Sequence, residues 1–225
     1  MKNLHNALLL KQLLILKQLG YRYTNITPSE LKDESWEVPN DIVGLQEAVD
    51  GCHLCELSKS RTKSVFGEGS LNADIMFIGS KPSATEDSTG RVFVGRAGNM
   101  LTAMIENVLH LSRDEVYITN LLKCKPLESR VSISAEIVTC KPYLQKQIEI
   151  VKPKLIITLG STAYKYLTND ESSLEKVRGS IIQKDDYAIL PTYHPNYLLR
   201  NPSAKKDALS DLIKGKELIE KLTLL

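Results

Sequence analysis

The chain has 225 residues, a formal net charge of +2 and an apolar fraction of 42%. That length suits one α/β domain with an appendage or two small domains, and the apolar content supports a sizeable core. The near-neutral charge excludes a globally basic nucleic-acid binder, so any such surface is a local patch. No apolar run reaches the roughly 18 residues that a membrane span needs.

The opening stretch, MKNLHNALLLKQLLILKQLG, places Leu8, Leu9, Leu13, Leu14, Ile15 and Leu19 on one broad face and stops at Gly20. Lys11 and Lys17 interrupt it and no small-residue cleavage site follows, so it reads as an amphipathic helix rather than a signal peptide. A cytoplasmic location follows, where disulfides are rare and grouped cysteines point to metal or catalysis. Tyr21–Pro39 is polar and reads as a linker, which sets an N-terminal helix and linker (1–40) apart from a main domain (41–225). From Ala73 onward, strand patterns at Ile75–Ile78, Val116–Leu121, Leu155–Leu159 and Ala188–Leu190 alternate with helical patterns at Asn99–Leu109, Ser134–Val151, Ser161–Leu167 and Ser203–Leu222. Such alternation predicts an α/β fold, a mostly parallel sheet with helices on both faces.

The stretch Ile75–Gly98, IMFIGSKPSATEDSTGRVFVGRAG, organises the rest. A buried-strand run enters a polar, Gly-rich loop, and a helix follows, leaving the loop at the carboxyl end of the sheet, where open α/β sheets bind ligands. The loop carries one large aromatic, Phe93, between Arg91 and Arg96, with Glu86 and Asp87 just before it.

The four cysteines fall into two pairs: Cys52-His53-Leu54-Cys55, then Cys124 and Cys140, each followed by Lys-Pro. Four thiols with none left over suit a tetrahedral thiolate site holding zinc or an iron–sulfur cluster, and spacing does not separate the two. A redox pair lacks its βαβ context around Cys52.

Together, CHLC, FGEGSLNADIMFIG, EDSTGRVFVGRAGNML, ITNLLKCKP and TYHPNYLLRNP resemble the family 4, iron–sulfur uracil-DNA glycosylases over roughly Cys52 to Asp211. The resemblance implies a three-layer sandwich with a central four-stranded parallel sheet. It also implies a structural 4Fe–4S cluster on Cys52, Cys55, Cys124 and Cys140. The substrate is then uracil-containing DNA, single- or double-stranded; no membrane partner is expected, and the chain is expected to act as a monomer. Hydrolysis of the C–N glycosidic bond puts positive charge on the sugar and negative charge on the base, and the base must first be flipped out of the duplex.

Within this family pattern, Phe93 is the stacking surface, and the Asn120 amide donates to a uracil carbonyl and accepts from the ring N–H. His194 donates to the carbonyl whose charge grows, an oxyanion-type role. Ser80, Lys81, Pro82 and Glu86 complete the uracil pocket, with Ser80 and Asp87 joining His194 as catalytic groups. Arg91, Arg96, Tyr197, Leu198 and Arg200 face DNA, with Tyr197-Leu198-Leu199 as a wedge, although Leu198 and Leu199 also fit ordinary core positions. One departure stands out. The family carries Gly-Glu-Gly/Ala-Pro-Gly after the first strand, and this chain has Gly79-Ser80-Lys81-Pro82-Ser83. The carboxylate expected at Ser80 is gone, which opens a second reading: a DNA-binding or damage-recognition member with weak catalysis.

Overall fold

The computed structural model describes residues 11–12, 38–126, 134–184 and 186–223. The chain divides into Met1–Glu37 and Val38–Leu225, and the second unit is described below. The helix expected over residues 1–20 lies outside the described residues except for Lys11 and Gln12, which are helical.

Six strands form one sheet: β1 (Glu68–Gly69), β2 (Ile75–Gly79), β3 (Tyr117–Asn120), β4 (Leu155–Leu159), β5 (Ile182–Gln183) and β6 (Ala188–Thr192). Their order is β1-β3-β2-β4-β6-β5. The inner four are parallel and the two outer pairings antiparallel. The expected four-stranded parallel sheet is therefore the centre of a six-stranded one. Both added edge strands are two residues long, too short to leave a period in the sequence.

Each residue of β2, β4 and β6 is buried, as expected when helices cover both faces of a parallel sheet. The strand period of two sorts the core. Ile75, Phe77, Ile157 and Leu190 face one apolar layer, and Met76, Ile78, Ile156 and Ile189 face the other. The first layer is covered by α3 (Gly95–Met104) and α7 (Lys205–Thr223), and the second by α4 (Ser134–Val151) and α5 (Ser161–Thr168). A third apolar group joins α1 (Ile42–Asp50) to α4 through Leu45, Val49 and Tyr143. Two short helices, α2 (Ala84–Thr89) and α6 (Pro195–Arg200), stand at the carboxyl ends of β2 and β6. Among the described residues no helix is long and apolar enough to cross a membrane.

Candidate active site

Three parallel strands end at one depression. β2 delivers Ser80, Lys81 and Pro82 to its wall, β6 delivers His194, and the loop after α2 delivers Phe93. β3 ends on Asn120, paired in register with Gly79.

Phe93 is held on three sides. Its backbone is left-handed, with φ 47°, a conformation costing a non-glycine residue on the order of 1–3 kcal/mol. The Glu86 carboxylate offsets that strain: one oxygen accepts the Phe93 N–H at 2.5 Å, the other the Ser83 N–H at 2.7 Å. Gly98 lies so close beneath that a Cβ there would stand 1.9 Å from the Phe93 carbonyl oxygen. A Cβ on Gly79 would stand 2.8 Å from the ring and 2.3 Å from the Asn120 amide oxygen. Both glycines are therefore required by close approach, and the ring is fixed before any ligand arrives. Glu86→Gln keeps the shape but turns one acceptor into a donor facing an N–H. It is expected to destabilise the fold by about 1.5–3 kcal/mol, the worth of a charge-assisted hydrogen bond, measured by urea denaturation.

Asn120 is 1% exposed, and neither its amide nitrogen nor its amide oxygen has a hydrogen-bond partner. Such orphaned groups cost about 1–3 kcal/mol, and a buried amide left unpaired points to a ligand that completes it. It adjoins the Phe93 ring across Gly79, one layer beneath the open pocket wall.

His194 caps α6. Its Nδ1 accepts the Asn196 N–H at 3.1 Å, which leaves the ring proton on Nε2. Burial, with Arg200 adding to it, pushes its pKa down to about 4, so at neutral pH the ring is an uncharged donor. Its centroid is 5.6 Å from that of Phe93. Behind it Tyr193 stacks on Tyr197 at 4.8 Å, and the Arg178 guanidinium lies 5.3 Å from the Tyr193 ring centre. Arg178 is in turn anchored on buried Asp211 at 2.7 Å. The depressed histidine has a stability consequence. Between pH 6.5 and about 4 the unfolded chain holds a proton on this ring that the folded chain lacks, so stability falls as pH drops through that window. His194→Gln is expected to flatten that part of the stability–pH curve, measured by denaturation on either side of the window.

Several placements differ from expectation. Asp87 does not reach the pocket: both its oxygens accept the Thr62 N–H, at 3.1 and 3.2 Å. Arg91 also lies outside it, paired with Glu68 at 3.2 Å. Leu198 is 1% exposed and belongs to the core, whereas neighbouring Tyr197 is 38% exposed and lines the pocket. A buried Leu198 does not serve as a wedge. Arg96, Arg200 and Lys81 stand exposed on the pocket wall, giving a local cationic patch on a nearly neutral chain.

A second cavity adjoins the loop that follows β3. Cys52, Cys55, Cys124 and Cys140 all line it, and none is in a disulfide. They come from the segment after α1, the loop after β3 and the interior of α4. Burial raises the pKa of the Cys55, Cys124 and Cys140 thiols, the last to about 12. The Arg61 guanidinium, 3.2 Å from the Cys124 sulfur, opposes this at Cys124. Among the described residues no group of three or more His, Cys, Asp or Glu side chains is drawn together around a single ion position. The four thiols share a cavity wall.

Sequence reasoning missed Lys123. It is 1% exposed, and its ammonium donates to Thr119 Oγ1 at 2.6 Å, the Asn120 carbonyl at 2.8 Å and Gln147 Oε1 at 2.6 Å. It lines the cysteine cavity and holds the backbone of Asn120 at once.

Fold and site together define an open-sheet α/β protein whose parallel strand ends present an aromatic ring, an unpaired amide and a neutral histidine donor. Residues 66–214 match the model of the uracil DNA glycosylase superfamily. The chain is 43% identical over 182 residues to the type-4 uracil-DNA glycosylase of Sulfurisphaera tokodaii, covering 77% of this chain and 83% of that one. It is 44% identical over 181 residues to the Saccharolobus solfataricus type-4 enzyme, with 77% and 84% covered, and 40% identical over 181 residues to that of Thermotoga maritima, with 79% and 94% covered. The chain belongs to the uracil-DNA glycosylase superfamily, in its type-4 branch.

Proposed function

We propose that the chain is a uracil-DNA glycosylase of base excision repair, hydrolysing the N-glycosidic bond of uracil flipped out of DNA. The observation that carries this is the buried, unpartnered Asn120 amide beside a preset Phe93 ring. A planar base that stacks on the ring and offers a carbonyl and an N–H satisfies both orphaned atoms. Uracil offers that pair, and cytosine offers the reverse, which leaves buried polar groups opposed. As the C–N bond stretches, negative charge grows on the base, and the neutral His194 Nε2–H is a donor that needs no proton transfer to meet it. Arg96 and Arg200 supply positive charge for phosphates, which position DNA without reading its sequence.

On the sugar side the pocket is poorer. Glu86 commits both carboxylate oxygens to backbone N–H groups and Asp87 faces Thr62, so Ser80 is left to orient water without charge. We expect a slower enzyme than relatives with a carboxylate at that position, the absent group being worth about 10²–10³ in rate. The same poverty favours the second reading, a damage-recognition protein with weak catalysis. Ser80→Glu with Lys81→Gly should raise the rate if the missing carboxylate is the limit.

The four cavity-facing thiols fit a 4Fe–4S cluster: Cys52, Cys55, Cys124 and Cys140 would hold it, and its role would be to tie α1, β3 and α4 together, with no redox step in the reaction. The thiolate donor set and the Arg61 guanidinium beside Cys124 support this, since thiolates bind metal deprotonated. We take the enzyme to act as a cytoplasmic monomer, with residues 1–40 as an extension dispensable for chemistry.

Two variants test the pocket. Phe93→Ala should slow excision of every accepted base, because stacking, at about 1–3 kcal/mol per base, ignores the pairing edge. Asn120→Ala should instead narrow the gap between uracil and cytosine. Strand cleavage after alkali, on matched single- and double-stranded oligonucleotides, reads both. Wild-type selectivity in Asn120→Ala would refute the reading.

A further inference from the structure

Lys81 lines the uracil pocket, yet the base-removal chemistry set out above gives its amine no step. It stands where β2 runs out, between Ser80 and Pro82, on the wall of the pocket that holds Phe93 and His194. Its side chain is exposed, and among the described residues no hydrogen bond or ion pair engages its amine. The carboxylates on either side of the loop are spoken for, Glu86 by the Phe93 and Ser83 N–H groups and Asp87 by Thr62. The backbone beneath it is rigid: Pro82 is buried, and Ser83 caps α2 reciprocally with Glu86. A free primary amine on a fixed turn, inside a pocket that receives a deoxyribose, is a nucleophile looking for a carbonyl. Removal of a base creates one, because the resulting abasic sugar opens to an aldehyde at C1′.

We propose that Lys81 gives the protein a second activity, cleavage of the DNA strand at abasic sites through a Schiff base. The inference rests on the base-removal reading, which supplies the aldehyde in the same pocket. The Lys81 amine, having given up its proton to solvent water, adds to C1′; a proton taken back from solvent lets the aldehyde oxygen leave as water, forming a protonated imine. That imine acidifies C2′, whose proton passes to solvent water. The electron pair released there forms the C2′=C3′ bond as the C3′–O bond breaks, and the leaving pair departs with the phosphate of the downstream strand. Water then hydrolyses the imine, returning the lysine amine and an unsaturated aldehyde end. No oxidant or metal takes part. Lys81 is thus a candidate catalytic residue for lyase chemistry.

The test uses the full chain and an oligonucleotide carrying a single preformed abasic site, with sodium borohydride to reduce any imine to a stable amine. The wild-type protein is expected to give a covalent protein–DNA band on a denaturing gel, with the cross-linked peptide mapping to Lys81. Without borohydride it should give a nicked strand before any alkali treatment. Lys81→Arg, which keeps the positive charge, and Lys81→Ala should both lose the band and the nick while melting like wild type. No adduct in the wild type, an adduct that maps to another lysine, or one undiminished in Lys81→Arg would each overturn the proposal. A lysine that serves only to contact phosphate gives the first of these results. Because the abasic site is preformed, this outcome does not depend on base removal, which free-uracil release from a uracil oligonucleotide measures separately.

Discussion

His194→Ala is expected to lower the single-turnover rate of uracil release by about 10²–10³, the effect of deleting one donor from an oxyanion-type site. The magnitude is set by what else the pocket offers. Among the described residues the one carboxylate on the pocket wall, Glu86, is taken up by two backbone N–H groups, so on the proposed mechanism stabilisation on the base side carries a larger share of the catalysis. The state of the ring matters as much as its presence. With Nδ1 accepting the Asn196 N–H and the pKa held near about 4, the donor is neutral across the physiological range. The rate should therefore show no titration of this group near pH 6.5, the ordinary histidine value. A profile that rises as the ring protonates around that value would mean that an imidazolium does the work. His194→Gln, which retains a donor, should recover part of the lost rate. An unchanged rate in His194→Ala would remove the histidine from the mechanism.

Cys140→Ala is the second large effect, and it falls on the fold. An ordinary point substitution costs about 1 kcal/mol. On the proposed cluster reading a lost ligand costs far more, because a metal–thiolate site contributes folding free energy outright. Cys140 sits inside α4, Cys124 follows β3 and the Cys52–Cys55 pair follows α1, so loss of one ligand of the proposed cluster would untie three elements at once. The variant is expected to be colourless, poorly soluble and without a cooperative melt. Iron analysis and thermal denaturation check this. Normal iron content with a normal melting temperature would show that the thiols are ordinary core groups.

The parts of the fold visible in the sequence are those with a strong period or a strong motif. β2 opens on the apolar run Ile75–Ile78 and β4 is apolar but for Thr158, and the strand ends carrying Asn120 and His194 are legible from the residues that follow them. The edge strands escaped because two residues show no alternation. At the site, sequence order gave the neighbourhood but not the direction. Glu86 and Asp87 are adjacent on a helix, so their side chains diverge by about 100°: one clamps Phe93, the other faces Thr62. The same divergence on α6 buries Leu198 and exposes Tyr197. The clamp did have a signal, since Ser83 and Glu86 have the spacing of a capping box. Lys123 had none, because a lysine is almost always on the surface. Its burial depends on Thr119, Gln147 and the Asn120 carbonyl converging from two elements.

The most direct test of the central claim is mass-spectrometric detection of free base released by the wild-type protein from otherwise identical oligonucleotides carrying uracil, cytosine or thymine at one position. The account predicts free uracil from the first, in single- and double-stranded form, with cytosine and thymine retained. Binding to the uracil oligonucleotide without release of uracil, or release of cytosine at a comparable rate, would contradict it.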